Sequence, residues 1–517
     1  MENRFRVMIL LALSVLASIV IISAAALYKS RPLKTLGYTD REELAGILVP
    51  EEENPGLFFD TKGYIAGSGV YIFLPCTADM SHLVFYSLDQ EGNCLQRFEN
   101  DFQKSSFNIE GVDIFCLQSD LPSVNISISP GSPSLEEVEA SEDHSVSTRG
   151  AFELRTPEGG IIEEGMSLRG RGNTSWTEDK KSYQVELTKP KDILSMGKGE
   201  KWVFLANASD HSLLRNEVFL SLARDMELEY TPELRQTDLF INGEYRGAYS
   251  LCTKVEIGKN RVDLKENDFL YRIGVDHDNF SFFLHDDESR KGTEESSRIY
   301  GEIRDCKDQK TIERGAPYLI DAVDKLYDPS SDLSGIDLPS LAGFYWLQEF
   351  SKTTDPALRS VYMYRRSDED MMYMGPPWDY DRTAGIIEMP FREEDYIWPE
   401  GWTAREQSYF RSLFQNPVFL EAVDSAYRDM DLSTLFHRTA EELPERVEKI
   451  SNSAEMNFIR WNVLNQEENN KVSYAFGDTS YESHVKWLSD WLRMRADWID
   501  ENPICQTSDN TASSDSQ

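Results

Sequence analysis

The run from Leu341 to Phe350 constrains the fold more than any other stretch, because only Ala342, Gly343, Gln348 and Glu349 interrupt its bulky hydrophobes. A helix that is apolar on nearly every side has to be buried, so the segment after it stands on a rigid support. That segment is Lys352 to Gly385, KTTDPALRSVYMYRRSDEDMMYMGPPWDYDRTAG. Asp355 comes just after the helix. Val361 to Tyr364 reads as a short strand, Arg366 to Asp370 as a polar turn, and Met371 to Met374 as a second strand. That strand runs into Gly375-Pro376-Pro377-Trp378-Asp379-Tyr380-Asp381. A helix thus presents one acid and a hairpin presents two more.

Phosphoryl transfer needs acids supplied in this way, since its chemistry is mostly positioning and charge neutralisation. One carboxylate orients the attacking hydroxyl or accepts its proton, and Asp355 is the candidate. Others grip the metal that bridges nucleotide phosphates. Mg²⁺ takes one or two carboxylates beside phosphate oxygens and water, which suits Asp379 as principal ligand and Asp381 as second ligand or orienter. Taken alone, an Asp-x-Asp pair after a strand is more often a solvated turn.

The surrounding sequence adds six segments in a fixed order. They are Arg169-Gly170-Arg171-Gly172-Asn173-Thr174-Ser175-Trp176, Lys180-Lys181-Ser182-Tyr183, Leu213-Leu214-Arg215-Asn216, Asn242-Gly243-Glu244-Tyr245-Arg246-Gly247, Lys254 to Val262, and Trp378-Asp379-Tyr380-Asp381. Together they resemble the spore-coat protein H (CotH) kinase family over Arg169 to Gly385 and onward toward Asn502. The resemblance implies an α+β fold with an atypical protein-kinase-like, two-lobed domain over 150–502. It also implies ATP and a divalent metal, Mg²⁺ or Mn²⁺, used to phosphorylate serine or threonine on secreted, coat or cell-surface proteins.

Candidate cofactor residues lie in the first half of that domain. Gly170 and Gly172 form a turn between strands whose N–H groups can approach phosphate, although glycine in a hairpin usually only permits positive φ. Lys181 opens the alternating strand Tyr183-x-Val185-x-Leu187, where kinase-like folds place a phosphate-contacting lysine. Lys180 is an adjacent rival. Arg215 and Asn216 start a helix, Leu213 to Met226; Arg215 is a cofactor candidate, with organisation of the site or the helix start as the alternative. Glu217 is a candidate acidic partner for the lysine, with a solvated role as the alternative. Asn242-Gly243 is a hairpin turn of the kind that needs positive φ. Lys254-Val255-Glu256 comes next, where the adenine connector should lie, so Lys254 is the last cofactor candidate.

One departure from the ordinary kinase pattern stands out. Kinase catalytic loops hold metal with an asparagine five residues after the catalytic acid; here that position is Ser360, a poorer ligand. An impaired nucleotide-binding or structural surface protein, and a nucleotidyl transferase using the same acids, are the rival functions.

Charge excludes one partner class. Lys and Arg number 53 against 90 Asp and Glu, a net charge of -37 that repels phosphate backbones and disfavours nucleic acid. Six scattered cysteines lack any Cys-x-x-Cys, and seven histidines lack His-Glu-x-x-His, so zinc chemistry has no support. Export would allow one bridge among Cys76, Cys94 and Cys116.

Val7 to Tyr28 is 22 residues without a charge, enough for a membrane-spanning anchor, with a cleaved signal segment ending near Ser23-Ala24-Ala25-Ala26 as the alternative. Lys and Arg counts slightly favour the downstream side as cytoplasmic. The family resemblance implies export, so the expectation is a single-pass cell-membrane protein with its catalytic domain outside. Residues 29–62 read as a connector and 63–129 as a small β-rich, sandwich-like domain. Residues 130–149, rich in Ser, Pro and Glu, read as a linker, 277–314 as an exposed acidic insertion, and 503–517 as a disordered tail. The aromatic and aliphatic residues beyond Gly385 predict a helical subdomain.

Overall fold

Short runs of β-branched and aromatic residues between turns make the first described stretch, from residue 46 to 118, mostly strand, as patterning predicts. The computed structural model describes residues 46–67, 69–89, 92–100, 106–109, 111–172, 174–275, 281–287, 298–306, 308–354, 356–386, 396–464 and 480–504. The first strands are β1 (Gly46–Val49), β2 (Thr61–Lys62), β3 (Tyr64–Ala66), β4 (Gly69–Leu74), β5 (Leu83–Leu88), β6 (Cys94–Asn100), β7 (Ser106–Ile109) and β8 (Val112–Gln118). They form two four-stranded sheets, β2-β1-β5-β6 and β3-β4-β8-β7. The expected connector therefore stops short of 62, since β1 and β2 belong to these sheets and Leu57, Phe58 and Phe59 in the segment joining them are buried. Phe58, Phe59 and Phe73 pack with Phe240, Tyr245 and Met456, which seats the sheets on later elements. Cys76, Cys94 and Cys116 are free thiols. Cys94 lies on β6 and Cys116 on β8, in different sheets, while the Cys76 thiol donates to the Arg155 carbonyl at 3.4 Å.

Seven strands then close a barrel: β9 (Ser123–Ile128), β10 (Ser147–Arg155), β11 (Ile161–Arg171), β12 (Ser182–Asp192), β13 (Lys198–Leu205), β14 (Leu234–Ile241) and β15 (Glu244–Thr253). Their order is β10-β11-β12-β13-β15-β14-β9. β9 pairs antiparallel with β10 and parallel with β14, so closure leaves no free edge. Inward residues such as Leu168, Tyr183, Val185, Trp202, Phe204 and Leu251 fill the interior. Asn242 and Gly243, at φ 51° and 76°, make the predicted turn between β14 and β15.

Two expected boundaries move. β9 lies inside the segment read as the small β domain, yet it completes the barrel. The expected linker contains α1 (Leu135–Glu139), started by a reciprocal Ser134–Glu137 capping box, and its Leu135 and Val138 join the barrel core. The Ser and Glu that looked like loop composition are the cap itself.

A second sheet comes after the barrel. Its strands are β16 (Phe269–Gly274), β17 (Phe282–Asp286), β18 (Arg298–Ile303), β19 (Val361–Arg366) and β20 (Met371–Met374), in the order β17-β18-β16-β19-β20. The expected insertion at 277–314 is thus corrected. Its described parts are two sheet strands with Leu284, Ile299 and Ile303 buried, and then a helix start. Charge in the intervening loops hid the alternation.

Helices complete the core. They are α2 (Arg215–Asp225), α3 (Gln309–Tyr327), α4 (Leu338–Ser351), α5 (Ser408–Leu413), α6 (Pro417–Asp429), α7 (Leu432–Glu441), α8 (Leu443–Lys449), α9 (Ser451–Arg460) and α10 (Tyr481–Glu501). In α4 every residue from Leu341 to Ser351 is buried, as its composition requires. Leu341, Phe344, Tyr345, Trp346, Leu347 and Phe350 share one core with α2 and the C-terminal helices. Glu349, inside that core, accepts from the backbone N–H of Thr403 at 2.8 Å and pairs with buried Arg495 at 2.9 Å. Among the described residues no helix is long and apolar enough to cross a membrane. The 7–28 segment and the tail from 505 lie outside the described residues.

Candidate active site

Gly375-Pro376-Pro377 ends β20, because proline has no N–H for the ladder. The chain then turns sharply, with Asp379 at φ 77°. An L-residue there is strained unless its surroundings hold it. Tyr380 is the anchor. Buried between Phe219 and Gln348, it accepts from Gln348 Nε2 at 3.1 Å, and its backbone N–H donates to Asn216 Oδ1 at 2.8 Å. On the far side of Asp381, Arg215 donates from Nε to the Thr383 carbonyl at 2.9 Å and from Nη2 to the Ala384 carbonyl at 3.1 Å. Asp210 neutralises that arginine at 2.6 Å and also accepts the Arg215 backbone N–H at 2.8 Å. The first two residues of α2 therefore clamp the acidic loop on both sides.

Four side chains give the site its chemistry. Ser360 Oγ donates to Asp379 Oδ2 at 2.8 Å. Burial, and next the charge of Asp379, pushes the Asp381 carboxyl up to about 7. Opposite them stands Arg171 at the end of β11, its guanidinium carbon 5.5 Å from the Trp378 ring centroid. Burial lowers the Arg171 pKa, while Asp379 first and Asp381 more weakly favour its charged form.

The sequence-nominated residues distribute unevenly. Asp379 and Asp381 share this loop. Asp355 lies outside the described residues. Gly170 packs beneath Trp176, where a Cβ would sit 2.3 Å from the indole, and Gly172 holds φ 107°. Lys181 donates to the Trp176 carbonyl at 2.6 Å. Lys180 is buried, donates to the Ala248 carbonyl and to Asn457 Oδ1 at 2.8 Å, and burial pulls its ammonium down to about 7. It lines a cavity of about 220 Å³ together with Glu178, Asn207, Asn457 and Trp461. Arg215, nominated for the cofactor, is 2 % exposed and spent on the loop, the organising role that the sequence left as its alternative. Glu217 accepts from Arg446 at 3.1 Å rather than pairing with a nucleotide lysine. Lys254 lies 3.8 Å from Glu256 at the end of β15.

Arg171 and Asp210 escaped the sequence reading. Arg171 was legible in principle: Leu168 and Gly170 face the barrel, so Arg169 and Arg171 face away from it. Asp210 carried no comparable signal.

The donor set fits a divalent cation. Two carboxylates crowded on one loop, one of them resisting ionisation through burial and then the charge of the other, are relieved by a doubly charged ion. Among the described residues no group of three or more His, Cys, Asp or Glu side chains is gathered for a metal, so Asp379 and Asp381 would hold one with oxygens from a ligand.

Fold and site together define a mixed α+β protein whose helix-clamped acidic loop faces a glycine turn bearing an arginine. The chain belongs to the CotH kinase protein family, whose model matches residues 168–499. Membership carries a kinase-related function with it. No curated protein matches the chain.

Proposed function

We propose that this protein is a metal-dependent protein kinase that moves the γ-phosphoryl group of ATP to serine or threonine on secreted or cell-surface proteins. The observation that carries this reading is the Asp379–Asp381 loop, fixed by Arg215 and Asn216 and facing Arg171. Bound Mg²⁺ or Mn²⁺ would neutralise the charge that develops on the transferred phosphoryl group. Asp379 and Asp381 would hold that ion. Asp355 keeps the role its position after α4 suggests, orienting the substrate hydroxyl and accepting its proton. Ser360 holds one carboxylate oxygen of Asp379 through its hydrogen bond to Oδ2. Export through the 7–28 segment would place the domain on the outer face of the membrane, where an acidic surface meets protein rather than nucleic acid.

A second reading, nucleotide binding without turnover, is favoured by one observation: a serine hydroxyl at 360 where kinases use a carboxamide. Purified protein incubated with γ-labelled and α-labelled ATP, Mg²⁺ or Mn²⁺ and a serine-rich acceptor separates the readings. Label from γ alone, lost in Asp379→Asn and Asp355→Asn, supports the kinase. Label from α indicates nucleotidyl transfer, and no label from either leaves a binding or structural protein. Loss of one metal carboxylate should reduce transfer at least about a thousandfold, since metal-based charge stabilisation is worth several kcal/mol.

A further inference from the structure

The buried arginines of the helical core are engaged by several acceptors each. Arg215 serves Asp210, Thr383 and Ala384, and Arg495 serves Glu349, Pro399 and Gly401. Arg171 differs. Half-buried and laid against Trp378, it forms neither a hydrogen bond nor an ion pair with any described residue. A guanidinium carries five donors, and holding them partly out of water without acceptors is unfavourable unless a ligand supplies oxygens.

The identity of that ligand is set by the groups facing the arginine. An anion alone would meet Asp379 and Asp381, and a cation alone would meet Arg171. A species presenting a metal ion on one side and phosphate oxygens on the other satisfies both. The three lysines nominated from the sequence are already used, Lys181 on the Trp176 carbonyl, Lys180 on Ala248 and Asn457, and Lys254 beside Glu256 at 3.8 Å. We propose that Arg171 is the phosphate-binding cation of this site, taking a metal-bound polyphosphate chain whose metal rests on Asp379 and Asp381. This rests on the phosphotransfer reading and adds the residue that receives the phosphates. A planar fork matches phosphate oxygens in a way that an ammonium does not.

The test is calorimetric titration of the full chain with inorganic tripolyphosphate and with ATP, both in excess Mg²⁺, with adenosine as the uncharged comparison. Arg171→Ala should weaken tripolyphosphate and ATP roughly 10- to 100-fold, as loss of a charge-assisted bond predicts, and leave adenosine affinity in place. Arg171→Lys should recover part of the loss, and it keeps the test decisive should the alanine variant misfold. Unchanged tripolyphosphate affinity in Arg171→Ala, a loss seen only in Lys181→Ala, or no binding of tripolyphosphate by the unaltered protein would each overturn the proposal. Binding through Arg171 without transfer of label would defeat the kinase reading and leave this inference standing. Transfer of label with Arg171→Ala binding intact would do the reverse.

Discussion

Ser360 and Asp379 are joined by a 2.8 Å hydrogen bond, and both hold left-handed backbone, at φ 56° and 77°. Each is an L-residue in a region that costs free energy, at the open end of the hairpin, where the loop entering β19 meets the loop leaving β20. The bond fixes which Asp379 oxygen stays available. Ser360→Ala should therefore raise the half-saturating Mn²⁺ concentration for activity about fivefold, near 1 kcal/mol for an exposed bond to a charged group. Ser360→Asn fits the same backbone, since asparagine tolerates positive φ, and should lower that concentration below the unaltered protein's. Equal Mn²⁺ curves for all three proteins would show that this contact has no part in metal binding.

Arg215 is a structural clamp. Its replacement by Met leaves Asp210 as an uncompensated buried charge and releases the Thr383 and Ala384 carbonyls. A loss of about 3–5 kcal/mol in unfolding free energy is expected, read from urea denaturation. Asn216→Ala is milder in stability, about 2 kcal/mol for two lost bonds, one to Asn207 Oδ1 and one from the Tyr380 N–H, but it frees Tyr380. That variant should lose far more phosphotransfer than stability, and matched small losses in both would contradict the clamp.

The Glu349–Arg495 pair lies wholly inside the core, both side chains fully buried. Arg495→Met should cost about 3–5 kcal/mol because Glu349 is left charged and unpaired. Adding Glu349→Gln to that variant should return a good part of the loss. A double variant as unstable as the sum of the single ones would mean that the two residues act independently.

His211 lies in the core 3.3 Å from His484, and burial brings its imidazole down to about 4. A base held neutral in the folded state stabilises fully above the unfolded value near 6.5, and this contribution is lost as pH falls from there toward 4. Between pH 7 and pH 5 this single group should remove about 2 kcal/mol of stability. Urea midpoints across that range, compared with those of His211→Gln, would show a flatter slope in the variant. Parallel slopes would rule His211 out as the cause.

Local chemistry made much of the site's scaffold legible. The nearly continuous apolar run of Leu341 to Phe350 demanded a buried helix, Met371 to Met374 demanded a strand, and Asn242-Gly243 demanded a turn with positive φ. Each arises from interactions within a few residues, so no partner had to be known. The pairing of β9 with β14 could not be read this way, because Ser123 and Asp238 meet only once the barrel closes. β17 and β18 were masked by the acidic residues around them, and their alternation acquires meaning only against β16.

The sequence by itself determined which residue types gather around the acidic loop: two carboxylates after a proline stop, a glycine turn and a cluster of cations. Tertiary structure alone decided which cation has spare donors. Lys180, Lys181, Arg171 and Arg215 look alike on paper, and burial with nearby carbonyls consumes three of them. Electrostatic availability depends on what each side chain has already bonded, and that is settled by packing between segments far apart in the chain.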